Sequence, residues 1–309
     1  MHTAVALIMF NRPDTTARVF AEIAKAKPKQ LFVIADGPRA GVPGDAEKCM
    51  ASRAVIVRVD WECEVFRNFS DINLGCGYRP ATGINWVFEH VSEAIIIEDD
   101  CVPHPSFFKF CEELLERYRD DERVAVISGY NLVHGRHASP YSYWFHQIFA
   151  CWGWATWRRA WQHHDMKMSI WPELRNTTWL ADHLGDVRAS EYFAKIFDEA
   201  YAKASTVDYW DYQLLFSTWS QNGLAVAPST NLVSNIGFRE DATHTVSQGD
   251  LHAKTLVEAM HFPLKHPPFV ICDRVADRLY LSDHFGRGGS QSLLNRILSR
   301  ARAAISRFR

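Results

Sequence analysis

The stretch EAIIIEDDCVPHPSFFKF, residues Glu93 to Phe110, sets three acids directly behind a run of isoleucines. A short apolar run bounded by a turn reads as a strand buried on both faces. The aromatic segment beyond the prolines has helical spacing. Glu98, Asp99 and Asp100 then stand side by side where the strand leaves the core. Adjacent carboxylates repel, so this position calls for a cation or for a ligand with many hydroxyls.

Working outward, the same texture repeats. TAVALIMF is an apolar run, and NRPDTTARVFAEIAKAK follows it as a turn and helix, with Asp14 as the expected N-cap. QLFVIADG is a second buried strand ending in Asp36, and AVIVRVDW is expected to be a third. RPATGINWVFEHV carries Ile84, Val87, Phe88 and Val91 at helical spacing. RVAVISGY is a further strand. Strands alternating with amphipathic helices predict an α/β fold: a Rossmann-like, mostly parallel sheet flanked by helices. Ligands of such sheets bind at the carboxyl ends of the strands, where Asp36 and the acid triplet both fall.

The chain has 309 residues, 47% of them hydrophobic and 23% charged, so it can bury a large core. A net charge of −2 argues against a dedicated nucleic-acid binder. Seven cysteines are scattered singly, with no C-x-x-C pair, which reads as a reducing compartment. The amino-terminal segment reads as a first strand, not as a signal peptide. No window reaches the ~20 apolar residues of a membrane span. The expected location is the cytoplasm; one of the two readings of the tail described below would add peripheral contact at the inner face of the membrane.

Beyond residue 140 the texture changes. Seven of the eleven tryptophans fall between Trp144 and Trp179. SEYFAKIFDEAYAKA and YWDYQLLFSTWSQNG read as helices. No Gly- or Pro-rich linker separates the halves. One domain over 1–285 is expected, with a nucleotide-binding half (1–135) and a fused acceptor-side half (136–285).

Hard divalent cations, Mn²⁺ or Mg²⁺, prefer carboxylate oxygens and share their sites with substrate phosphates. The plainer reading of the triplet is a solvated turn entering a helix, whose N-terminal end favours acids. Asp208 suits an N-cap, whereas Asp211, one turn further in, is less needed for capping. Gly153, in CWGWATW, permits close backbone approach. Its neighbours Trp152 and Trp154 are either sugar-facing or, as for most tryptophans, core. His244, in DATHT, is either solvated or a ligand.

A strand, then Glu-Asp-Asp, then a Pro-rich turn and an aromatic helix resembles GT-A glycosyltransferases. The pattern is similar to the inverting N-acetylglucosaminyltransferase that initiates complex N-glycans and to bacterial family-2-like transferases. FNRP, IADG, GYRPAT and IIIEDDCVPHPSFFKF carry the likeness, over about the first 240 residues; Gly77 departs from the family's histidine. The resemblance implies a metal-dependent inverting glycosyltransferase using a nucleotide-diphosphate sugar, UDP-linked, and a glycan or lipid-linked acceptor. Asp100 and His244 would hold the metal. Arg12, Asp36, Arg79, Glu98, Asp99, Gly153 and Trp154 would line the donor, with Asp36 on the uracil and Glu98 and Asp99 toward the ribose and sugar. Asp211 would be the catalytic base, and Arg239 a pyrophosphate contact. A sugar-nucleotide nucleotidyltransferase is the alternative, although FNRPDTT lacks the glycine-rich loop that such enzymes place after the first strand. An inactive sugar-binding module is the other.

The end of the chain, 286–309, has six arginines, no acids and apolar residues at helical spacing. Such a basic amphipathic tail either lies on anionic lipid or is solvated or self-docked.

Overall fold

The computed structural model describes residues 1–203, 206, 209–238 and 255–286. In chain order its strands are β1 (Ala4–Met9), β2 (Gln30–Ala35), β3 (Glu64–Phe69), β4 (Glu93–Glu98), β5 (Cys101–Pro103), β6 (Val124–Ser128), β7 (Tyr143–His146), β8 (Trp154–Trp157), β9 (Leu224–Pro228) and β10 (Val233–Asn235). The main helices are α1 (Pro13–Ala26), α2 (Asp45–Ala54), α3 (Gly75–His90) and α4 (Pro105–Arg117). Three short ones follow: α5 (Arg158–Trp161), α6 (Trp171–Leu174) and α7 (Trp179–Leu184). Then come α8 (Val187–Ala202), α9 (Asp211–Ser220) and α10 (Arg274–Gly286).

Eight strands form one sheet in the order β3-β2-β1-β4-β8-β6-β9-β7. β1, β2, β3 and β4 are mutually parallel. β8 runs antiparallel between β4 and β6, β9 returns parallel to β6, and β7 closes the edge antiparallel. Six of the eight therefore point one way. This is the mostly parallel, helix-flanked α/β sheet that the alternating pattern predicts. Strands from both halves of the chain enter it. β5 and β10 pair separately as a small antiparallel ribbon.

Alternation along the strands explains the layers. Val5, Leu7, Leu31, Val33, Ile95 and Ile97 face α1 and α4, meeting Val19, Phe20, Phe107 and Leu114. Ala6, Ile8, Phe32, Ile34 and Ile96 point the opposite way, toward Ile84, Val87 and Phe88 of α3. Both faces of the isoleucine run are thus covered, each side chain contributing ~1.5–3 kcal/mol on full burial. A third cluster, built on Phe193, Phe197, Phe216 and Trp219, joins α8 to α9.

Two local expectations are corrected. AVIVRVDW is not the third strand: Val55–Arg58 forms a 3-10 turn continuing α2, and Val55 and Ile56 enter the core from there. The strand is EVFRNF, at the sheet edge, where one partner and partial exposure remove the need for an apolar run. Asp14 is not the cap of α1 either. Pro13 opens that helix and Asp14 lies in its first turn, where an acid still meets the positive end. α10 was not anticipated.

Among the described residues no helix is long and apolar enough to cross a membrane.

Candidate active site

The register of the parallel strands decides which side chains share the carboxyl rim. Ile8 pairs with Glu98 and Met9 with Ala35, so Arg12, Asp36 and the acid triplet emerge together. Arg12 spans two members of the triplet, with Nη2 2.6 Å from Oδ1 of Asp99 and Nη1 3.0 Å from Oδ2 of Asp100. The other oxygen of Asp99 accepts from the Phe10 backbone N–H at 3.1 Å. Burial works against the Arg12 charge, yet Asp99 and Asp100 hold its pKa well above the ordinary value. Asp99 is itself pushed up to about 6, burial outweighing Arg12 while Asp100 adds to the rise. Asp99 was expected to face the donor; both its oxygens are instead engaged by the protein at the mouth of β1.

Asp36 shows a similar difference. Oδ1 accepts from the backbone N–H groups of Gly37 and Leu74, both at 2.9 Å. Oδ2 accepts from the Asn73 amide and the Gly75 N–H, both at 3.0 Å. Two donors on each oxygen occupy the lone-pair sites of a carboxylate. Asp36 thereby ties the end of β2 to the entry of α3, and burial raises its pKa against those donors. Gly37 is required beside it, because a Cβ there would strike the Ile72 backbone. Arg79, expected near the nucleotide, is buried and bonds Ala35 O at 3.2 Å and both oxygens of Asn68, with the side-chain oxygen at 2.8 Å. It ties β2 to β3.

Glu98 and Asp100 point to a common spot. Together with the Cys101 thiol they each offer a ligand atom within 4.8 Å of the others. The thiol donates weakly to Oδ1 of Asp100 at 3.4 Å. Burial, then Asp100, Asp211 and Asp99 in that order, push the Glu98 carboxyl up to about 8. Two hard oxygen donors at a crowded negative spot suit Mn²⁺ or Mg²⁺. The donor set therefore fits a divalent cation.

The β5–β10 ribbon lays a second segment over this spot. Asn235 pairs with Cys101, and Ile236 N–H donates to the Asp100 carbonyl at 2.8 Å. Gly237 then passes so near that a Cβ would overlap Oδ2 of Asp100. Neither Cys101 nor Gly237 was anticipated. The thiol is adjacent to the triplet and legible in principle, but the glycine's role depends on a pairing of distant segments.

Asp211 arrives from elsewhere. It begins α9, is exposed, and accepts from the Tyr212 N–H at 3.0 Å. Its charge adds to the burial that raises the pKa of both Glu98 and Cys151.

The tryptophan–glycine segment differs from expectation. Trp154 lies on β8 with no exposure, its ring 5.7 Å from Trp210 and 6.1 Å from Trp161. It is core, because β8 is an interior strand. Gly153 has φ +64°, and a Cβ there would meet Val233 at 2.8 Å. The close approach Gly153 permits is to β10. Trp152 is half-buried, edge-on to Tyr130 at 4.8 Å and Phe238 at 5.8 Å. Asp208, Arg239, His244 and the tail from 287 lie outside the described residues.

No protein-family model matches the chain, and no curated protein matches it. Solved structures do. Mouse xyloside xylosyltransferase 1, in its apo form, aligns at 10% identity over 71% of this chain and 82% of its own, with a TM-score of 0.33. An active-site mutant of LgtC aligns at 13% identity over 56% and 65%, TM-score 0.33. HddC from Yersinia pseudotuberculosis aligns at 10% identity over 40% and 57%, TM-score 0.27. All three likenesses are remote in both sequence and superposition.

Proposed function

We propose that this chain is a metal-dependent inverting glycosyltransferase. It would move a sugar from a nucleotide-diphosphate sugar, UDP-linked, to a hydroxyl of a glycan or lipid-linked acceptor. One observation carries this reading. The acid triplet follows β4 and Asp211 begins α9, far apart in sequence, yet the Asp211 charge contributes to the rise of the Glu98 pKa. A solvated acidic turn would have no reason to collect a further carboxylate.

Glu98 and Asp100 would hold Mn²⁺ or Mg²⁺, which neutralises the departing diphosphate. The protein's own part is then a single displacement. The acceptor oxygen bonds to the anomeric carbon as the carbon–oxygen bond to the diphosphate breaks, and that electron pair leaves with the nucleoside diphosphate. The acceptor proton passes to the Asp211 carboxylate. Configuration inverts because attack and departure are on opposite faces.

The test is a thermal-shift panel of UDP, GDP, CMP and their sugars, with and without Mn²⁺. A ligand that binds only the folded state raises the melting temperature. A shift with UDP-sugars that requires Mn²⁺ is expected. No shift with any nucleotide sugar, with or without metal, would overturn the proposal.

A further inference from the structure

Arg12 treats its two carboxylates unequally. Nη2 lies 2.6 Å from Oδ1 of Asp99, which is short even for a charge-assisted hydrogen bond, whereas Nη1 lies 3.0 Å from Oδ2 of Asp100. Asp99 is also the better fixed of the two. Its remaining oxygen takes the Phe10 N–H, and its side chain is 3% exposed. The remaining oxygen of Asp100 takes the weak thiol donor of Cys101, and that side chain is 9% exposed.

Oδ2 of Asp100 is already crowded. Nη1 is in hydrogen-bond contact with it, and Gly237 passes so near that a Cβ would overlap it. A cation reaches that oxygen by replacing the guanidinium. A cation on Oδ1, beside Cys101, shares the carboxylate with a like charge, which weakens its hold. Either route sets Arg12 against an ion bound by Glu98 and Asp100, the carboxylates whose ligand atoms converge with the Cys101 thiol. Loss of a proton cannot lift the competition, because a guanidinium stays charged.

The backbone of Arg12 is pinned while its head is the more open part. The Arg12 carbonyl accepts from the Thr16 N–H at 2.9 Å and from the Thr16 hydroxyl at 2.7 Å, at the entry of α1. The side chain is 21% exposed, more than either acid. A change of partner therefore needs only side-chain rotation.

We infer that Arg12 is the resident counter-ion of Asp100, that a divalent cation displaces it from that carboxylate, and that the guanidinium, still tethered to Asp99, turns its freed N–H groups to the phosphates of a nucleoside diphosphate. The planar fork suits phosphate oxygens as well as it suits the two acids. One side chain thus answers first the charge of the protein and then the charge of the ligand. The exchange couples the two ligands: metal binding frees the donor that the diphosphate needs, and by reciprocity the diphosphate favours the metal. This inference rests on the reading of Glu98 and Asp100 as metal ligands.

The experiment titrates full-length protein with Mn²⁺ alone, followed by the electron-spin resonance of the free ion, and with preformed Mn²⁺–UDP, followed by calorimetry. Arg12→Gln should bind Mn²⁺ alone roughly 5- to 150-fold tighter and Mn²⁺–UDP weaker by a similar factor, the usual span of coupling between two sites. A purely structural role would weaken both. Arg12→Lys keeps the charge and loses the fork. It should bind Mn²⁺ alone with an affinity between those of wild type and Arg12→Gln, and Mn²⁺–UDP less tightly than wild type. A crystal structure of the wild-type protein with Mn²⁺ and UDP needs no variant to fold. It should show Nη2 still on Asp99 and Nη1 moved from Asp100 to a phosphate oxygen. A metal on Asp100 with Nη1 unmoved, or an Arg12→Gln variant that binds Mn²⁺ no tighter than wild type, overturns the exchange and leaves the metal-dependent reading standing. Wild-type protein that binds neither Mn²⁺ nor Mn²⁺–UDP removes the metal-dependent reading and the exchange with it.

Discussion

The guanidinium of Arg12 lies 2.6 Å from Oδ1 of Asp99, and its second nitrogen reaches Asp100 at 3.0 Å. One cation therefore compensates two nearly buried carboxylates at the end of β4. Arg12→Gln leaves both charges without it and should cost about 3 kcal/mol, as for other broken buried pairs. Arg12→Lys should recover only part, because one ammonium cannot present the planar fork that spans two acids. Urea unfolding measures both, and a Gln variant as stable as wild type would show the pair to be dispensable.

Asp36 offers a contrast between clamp and base reader. Its four protein donors predict that Asp36→Ala loses about 1–3 kcal/mol by stranding one buried and three part-buried N–H donors. Asp36→Asn, which keeps one acceptor oxygen, should lose less. A variant of native stability that loses only UDP affinity would restore the expectation that this carboxylate reads the base.

Glu98 predicts a pH dependence. Its folded pKa is about 8, against an ordinary 4.5. Between those values the folded state holds a proton that the unfolded state has released, so stability falls as pH rises across that window. Mn²⁺ competes for the same carboxylate, so its stabilising effect should grow over the same rise. Melting curves at pH 5, 6.5 and 8, with and without Mn²⁺, check both trends. A protein whose metal-free stability climbs from pH 5 to 8 contradicts the first.

Gly237→Ala should act on metal affinity rather than folding. The added methyl overlaps Asp100 Oδ2, and the carboxylate is the softer partner. Displacing a ligand group in this way should lower Mn²⁺ affinity roughly 10- to 100-fold, the usual effect of disturbing a ligand's supports. Calorimetry with Mn²⁺ and UDP is the readout, and unchanged affinity would place the metal away from Asp100.

Asp211→Asn retains the shape of the carboxylate and removes its basicity. It should lower kcat by roughly two to four orders of magnitude, with Mn²⁺–UDP affinity nearly unchanged. An α-linked donor should yield a β-linked product. Retention of the α-linkage, or near-normal turnover by the Asn variant, would remove Asp211 from the role of base.

The isoleucine run, the helix spacing of Ile84, Val87 and Phe88, and the acids at strand ends were legible in sequence, because burial on two faces forces a local pattern of side chains. That much determined an α/β sheet with a carboxylate-rich rim. Where the pattern was ambiguous the reading failed: the stretch 55–57 is apolar and β-branched, yet Val55 and Ile56 pack from a helix end, while the true edge strand Glu64–Phe69 needs little apolar character. Partner choice within the rim was beyond local reading. Asp36, Asp99 and Asp100 look alike in sequence, but one is filled by loop N–H groups, one by Arg12 and Phe10, and one is overlaid by Gly237. Those assignments depend on which strands lie side by side and on the pairing of β5 with β10, and only contacts between distant segments decide them. The same holds for Tyr212 and Tyr280, which pack on one cluster because α8, α9 and α10 share a core, a fact that no spacing along the chain records.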